Sequence, residues 1–146
     1  MDDKVVLGSE VLLDTAYAVA LSATNDEHHK RAVILSEQLE RERTRLITSR
    51  AVVLEIGNTL AKQRYRSAAI ELLESLEADP AVEIISITEE LYKRAFELYR
   101  ERSDKEWGIT DCISFVIMQE RGLKAALTTD EHFEQAGFQA LLRSKP

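Results

Sequence analysis

The sequence predicts an α/β fold: a mainly parallel sheet of four to five strands with helices on both faces. Two observations predict it. Short apolar runs bounded by turn residues alternate with amphipathic stretches from one end of the 146 residues to the other, the order that βαβ units impose. No repeat, linker or low-complexity tract breaks the alternation, so residues 1–146 are expected to form one domain with a substantial core.

The elements follow in order. Residues 5–7 and 11–13 are apolar runs, and 11–13 reads as a buried strand. Residues 15–22 read as a short helix. "TNDEHHKRAVILSEQLERER" reads as a second helix, with Thr24 and Glu27 as a capping box and Val33, Ile34 and Leu39 as its apolar stripe. "RLITS" is a strand. "RAVVLEIGNTLAKQ" is a helix burying Val52, Val53, Ile56 and Leu60, and "RSAAIELLESLEAD" is another, stopped at Pro80. "VEIIS" is a strand, and Ser86 with Glu89 forms a second capping box for the long helix "EELYKRAFELYRER". "ITDCISFVIMQERG" is apolar nearly all round, so it should be a buried helix ended by Gly122. "AALTT" is a strand, "DEHFEQAG" a short helix and "FQALL" an edge strand.

Composition narrows the function. The chain is 45% hydrophobic and 31% charged, as soluble globular proteins are. No apolar run reaches the ~18 residues that a membrane span needs, and "MDDKVVLGSE" lacks a signal-peptide stretch. The single Cys112 can make no internal disulfide, so a reducing cytoplasm is the expected setting. A net charge of −7 argues against a protein that coats nucleic acid. It leaves room for an enzyme that meets nucleic acid through metal ions, and it suits a basic partner.

Four acidic residues stand at seams in this pattern. Asp14 and Asp130 each follow a strand, so both should lie at the carboxyl edge of the sheet, where ligands of α/β folds collect. Asp111 opens the buried helix. Glu55 sits inside "AVVLEIGN", on a stripe with Ala51, Asn58 and Lys62. Each has a plain structural explanation: the aspartates as helix caps, Glu55 as the wet side of an amphipathic helix. Those explanations do not account for all four together. Gathered without compensation, four carboxylates would raise one another's pKa values. A hard divalent cation removes the conflict, and carboxylates with water suit Mg²⁺ or Mn²⁺.

"LLDTAYAVAL", "VVLEIGNTL", "GITDCISFVIM" and "ALTTDEHFEQAGF" resemble the blocks of PIN-domain ribonucleases, in the family's order and across nearly the whole chain. The likeness is greatest to the toxin subunits of VapBC-type toxin–antitoxin modules. It implies an α/β/α sandwich and metal-dependent RNA cleavage leaving a 5′-phosphate. It also implies that Asp14, Glu55, Asp111 and Asp130 form the acidic catalytic and metal-binding cluster, with Asp104 as a further acid and Thr15, Thr128 and Thr129 in support. On this reading Asp14, Asp111 and Asp130 hold Mg²⁺ or Mn²⁺. Glu55 binds metal through water or orients the attacking water.

Other constellations are thinner. His28 and His29 are adjacent and would point about 100° apart on a helix. With His132 and Cys112 they make no zinc spacing, and Cys112 reads as a small core residue. No Gly-rich phosphate loop is present. A haloacid-dehalogenase-like phosphatase needs a second Asp where Ala16 stands. Lys62, Arg64, Tyr65 and Arg66 form a basic patch past Glu55, either an RNA-phosphate contact with Tyr65 stacking a base or a solvated helix end. The expected protein is an endoribonuclease toxin with an RNA substrate and an antitoxin partner carrying a basic inhibitory segment. It is expected to dimerise through apolar surface on the helices of residues 51–76. The alternatives are an RNA-processing nuclease outside a toxin module and a catalytically silent PIN-like binding module.

Overall fold

A computed structural model describes residues 7–143. Five strands form one all-parallel sheet: β1 (Glu10–Leu13), β2 (Arg45–Ser49), β3 (Val82–Ile85), β4 (Ala125–Leu127) and β5 (Gln139–Ala140). Their order across the sheet is β3-β2-β1-β4-β5. The chain therefore winds outward from β1 in one direction, then returns to place β4 on β1's other side. Between β1 and β4 lies the topological switch point, where the connections diverge and a crevice opens at the carboxyl ends of the strands.

Strand alternation sorts the core into two layers. Val11, Leu13, Ala125 and Leu127 face one side; Leu12 and Ala126 face the other. The first side is covered by α1 (Thr15–Ser22), α2 (His29–Glu42), α3 (Arg50–Thr59) and α4 (Gln63–Ala78). The second is covered by α5 (Glu89–Glu101), α6 (Ile109–Arg121) and α7 (Glu131–Gln135). The result is the expected α/β/α sandwich. At the amino ends of the strands, Arg121 bonds Glu83 and Glu10, an exposed ion-pair group that contributes little to stability.

Several local expectations need correction. α2 begins at His29, not in a capping box at Thr24 and Glu27. Asp26 Oδ1 accepts the His28 N–H at 2.8 Å and holds residues 24–28 as turns instead. The buried stripe of α2 is Ala32, Leu35 and Leu39, at the three- and four-residue spacing of one helical face, with Ile34 half exposed. α5 is capped by Thr88, whose Oγ1 accepts the Leu91 N–H at 3.0 Å, rather than by Ser86. α3 ends at Thr59, so Lys62 does not share a helical face with Glu55; α4 already begins at Gln63. "FQALL" contributes only two strand residues. Val5 and Val6 of the first apolar run lie outside the described residues, while Leu7 is buried. Gly122 ends α6 as expected, at φ +68°, a left-handed conformation that costs glycine nothing.

Candidate active site

Asp14 is the residue after β1, in the N-cap position of α1, yet its side chain makes no standard cap bond there; from that helix only the Thr15 backbone N–H reaches it. Its Oδ2 instead accepts a hydrogen bond from the Thr128 hydroxyl at 2.7 Å, across the switch point. The same Thr128 oxygen accepts the Asp130 N–H at 3.0 Å. Thr128 is fully buried at the end of β4, so one hydroxyl fixes both aspartates relative to the sheet. The strand ends are tied as well: Asp14 N–H reaches Leu127 O, and the Thr48 hydroxyl donates to Leu13 O at 2.9 Å.

Glu55 comes from the second turn of α3, which Ser49 starts by accepting the Val52 N–H. The Thr15 hydroxyl donates to Glu55 Oε1 at 2.5 Å, linking α1 to α3 over the crevice. Asp111 is in the first turn of α6 and accepts the Gly108 N–H at 3.1 Å. Asp130 Oδ1 accepts the His132 N–H at 2.8 Å and starts α7. Capping and clustering therefore coexist for Asp111 and Asp130, whereas Asp14 makes no standard cap bond and is held across the crevice by Thr128.

The electrostatics are those of crowded, dry carboxylates. Asp14 is 7% exposed. Burial pushes its pKa from 3.8 up to about 7; the bonds from Thr128 and the Thr15 backbone hold it down, and the charges of Asp111 and Glu55 push it further up. Asp111 is also raised, first by burial and then by Asp130, against the opposing Gly108 N–H and His132. An open cleft of about 420 Å³ lies over this edge, lined by Asp14, Thr15, Ala16, Val19, Asp26, His28, Glu55, Thr59, Thr129 and Asp130. Asp111 is outside that lining and meets Asp130 and His132 instead: one ligand atom from each lies within 4.8 Å of the other two. The donor set is oxygen-rich, its most buried member disfavours its own charge, and water reaches the cleft. Those are the conditions a hard divalent cation satisfies.

The structure thus brings Asp14, Glu55, Asp111 and Asp130 to one edge, with Thr15, Thr128 and Thr129 beside them. Asp104 is elsewhere in character: it sits on the exposed turn after α5, paired with Arg102 at 3.0 and 3.1 Å. Lys62 is the N-cap of α4, and Arg66 bonds the Ala61 carbonyl. Tyr65 packs partly against the core with Arg64 over its ring. Three residues went unassigned in the sequence. His132 had a signal, because a residue two past a capping Asp is drawn to its carboxylate. Asp26 and His28 had none, since an irregular loop carries them to the cleft. Cys112 is buried as expected, its thiol pushed up to about 11 by burial and by the charge of Asp111.

Residues 11–139 match the family described as PIN domain. Two curated relatives, both the 23S rRNA-specific endonuclease VapC20 of Mycobacterium tuberculosis (strains CDC 1551 / Oshkosh and H37Rv), are 24% identical over 128 residues. The match covers 88% of this chain and 95% of theirs. The crystal structure of M. tuberculosis VapC20, described as a sarcin–ricin loop cleaving toxin, superposes with a TM-score of 0.76 over the same shares of the two chains. At 24% identity that last likeness speaks to the fold.

Proposed function

Because the chain belongs to the PIN domain family, we propose that it is a divalent-metal-dependent endoribonuclease, the toxin of a toxin–antitoxin module, with residues 1–146 as one nuclease domain. The observation that carries this reading is the hydroxyl of Thr128. It holds Asp14 and locates Asp130 at the switch point, where Glu55 and Asp111 join them. Such precision in placing like charges is costly unless a cation is to be held there.

Asp14, Asp111 and Asp130 hold the ion, Mg²⁺ or Mn²⁺. Glu55, steadied by Thr15, orients the water that attacks phosphorus. When bound, the ion lowers the pKa of a coordinated water and neutralises charge on the scissile phosphate. It also lets a chain of net charge −7 approach RNA. Thr129 and the basic residues Lys62, Arg64 and Arg66 contact the strand beyond the cleft, with Tyr65 beside them. The target named for the relatives makes 23S rRNA the first substrate to try. The purified chain should cut it in Mg²⁺, not in EDTA, and Asp111→Asn should lose at least about 100-fold in rate. Cutting that persists in EDTA would sink the metal-dependent reading.

The same cluster, without its ion, is a hole of negative charge that suits an arginine. A planar guanidinium pairs with carboxylates through two parallel bonds and keeps its charge when buried. The antitoxin inhibits by inserting a basic segment there. Mg²⁺ should therefore relieve inhibition more than NaCl of equal ionic strength does. Equal relief by the two salts would mean that the antitoxin blocks RNA from outside the cluster. A homodimer completes the reading, with Leu54 of α3 and Ile70 of α4, both at least half exposed, supplying part of the contact.

A further inference from the structure

Nothing in the proposed mechanism uses His132, yet its ring faces the acidic cluster directly. Nδ1 lies 3.1 Å from Asp111 Oδ2 and 3.3 Å from Asp130 Oδ1. As a hydrogen-bond donor this nitrogen is poorly served by its position. One N–H can be given well to one oxygen, and Asp130 Oδ1 already receives the His132 backbone N–H at 2.8 Å. The separations fit another role. Neighbouring ligands on an octahedral ion with bonds of about 2.1–2.2 Å stand about 3 Å apart. Both nitrogen-to-oxygen distances are close to that edge length, and all three ligand atoms lie within 4.8 Å of one another. The ring is held for it: Phe133, the next residue, is fully buried, and the Asp130 cap fixes the first turn of α7.

We propose that His132 Nδ1 is a direct ligand of the divalent cation, with Asp111 and Asp130, and tilts the site toward borderline ions such as Mn²⁺ over Mg²⁺. This rests on the metal-dependent reading above. Imidazole nitrogen suits the later first-row ions, whereas Mg²⁺ prefers oxygen and gives up water reluctantly. An all-carboxylate cluster has no such bias. A histidine that merely oriented Asp111 would help every divalent ion alike.

The test measures Mn²⁺ and Mg²⁺ binding by calorimetry on the intact chain, without RNA. His132→Gln should lose about 10–100-fold in Mn²⁺ affinity and less than about threefold in Mg²⁺ affinity. Pulsed electron paramagnetic resonance of the Mn²⁺-loaded wild type should show a directly coordinated ¹⁴N, which persists in His28→Gln and vanishes in His132→Gln. Equal losses for both ions, or no ¹⁴N coupling in the wild type, overturn the proposal. The wild-type spectrum needs no His132 variant and so decides the matter even if His132→Gln folds poorly. Asp111→Asn separates the two levels of the argument. If it binds both ions as the wild type does, the metal centre itself is wrong; if it binds neither while His132→Gln keeps the Mn²⁺ preference, only the role of His132 is.

Discussion

Asp14→Asn is expected to lose at least about 1,000-fold in RNA cleavage and, in EDTA at neutral pH, to melt above the wild type. Both effects come from one carboxylate. In the folded, metal-free chain its pKa is pushed from 3.8 to about 7, chiefly by burial. The folded state therefore binds this proton more tightly than the unfolded chain does. Stability from the protonated form is fully present below about pH 4 and is lost as pH rises to about 7. The ceiling on that loss is about 4 kcal/mol, and relaxation around the site should leave roughly 1–3 kcal/mol. Asparagine has no charge to bury, and its carbonyl can still accept from the Thr128 hydroxyl. Melts in EDTA should coincide near pH 4 and diverge toward neutrality, the variant higher by several degrees. Added Mg²⁺ should raise the wild type and leave the variant nearly unmoved. A variant that melts lower at every pH would make Asp14 a structural residue, and cleavage near the wild-type rate would remove it from the mechanism.

How legible this site was in the sequence follows from what holds each residue. Asp14 and Asp130 were readable because strand ends are readable. "VLLD" and "ALTTD" place a carboxylate one and three residues past an apolar run, and a parallel sheet then puts both at one edge. Asp111 was readable from the apolar helix it opens. That these edges meet at a switch point was not, because strand order is set by which helices cover which face, and the alternation alone is silent on that. Thr128 was named only as support; its double role depends on a hydroxyl angle that no spacing encodes. The local errors share one cause. At residues 24–29 and 86–88 several short polar side chains could each start the helix by taking a different nearby backbone N–H, and tertiary packing picks the winner: Asp26 over Thr24, Thr88 over Ser86.

The largest structural effect is expected from Phe115→Ala, with a loss of about 3–5 kcal/mol. Phe115 is fully buried in α6, one turn past Asp111. Its ring meets Trp107 edge-on at 4.9 Å and Phe133 edge-on at 4.9 Å, with Phe138 at 5.8 Å. Deleting it removes the central member of that group and leaves a cavity whose walls cannot close, since Leu12, Ala126 and Ile117 are already packed in the same layer. The consequence reaches the site. Trp107 precedes the start of α6, where Asp111 sits. Phe133 lies in α7, which Asp130 starts and which carries His132. The aromatic group is thus the floor that keeps α6 and α7 at a fixed separation under the cluster. Phe115→Ala should therefore weaken divalent-ion binding by more than its stability loss predicts, measured at a temperature where the variant remains folded. Phe115→Leu, which refills most of the space, should recover more than half of both losses. Chemical denaturation followed by Trp107 fluorescence, the only tryptophan, reads the first quantity, and calorimetric ion titration reads the second. If ion affinity in the folded fraction of Phe115→Ala equals that of the wild type, the floor is only a core, and the acids are held by their own hydrogen bonds alone.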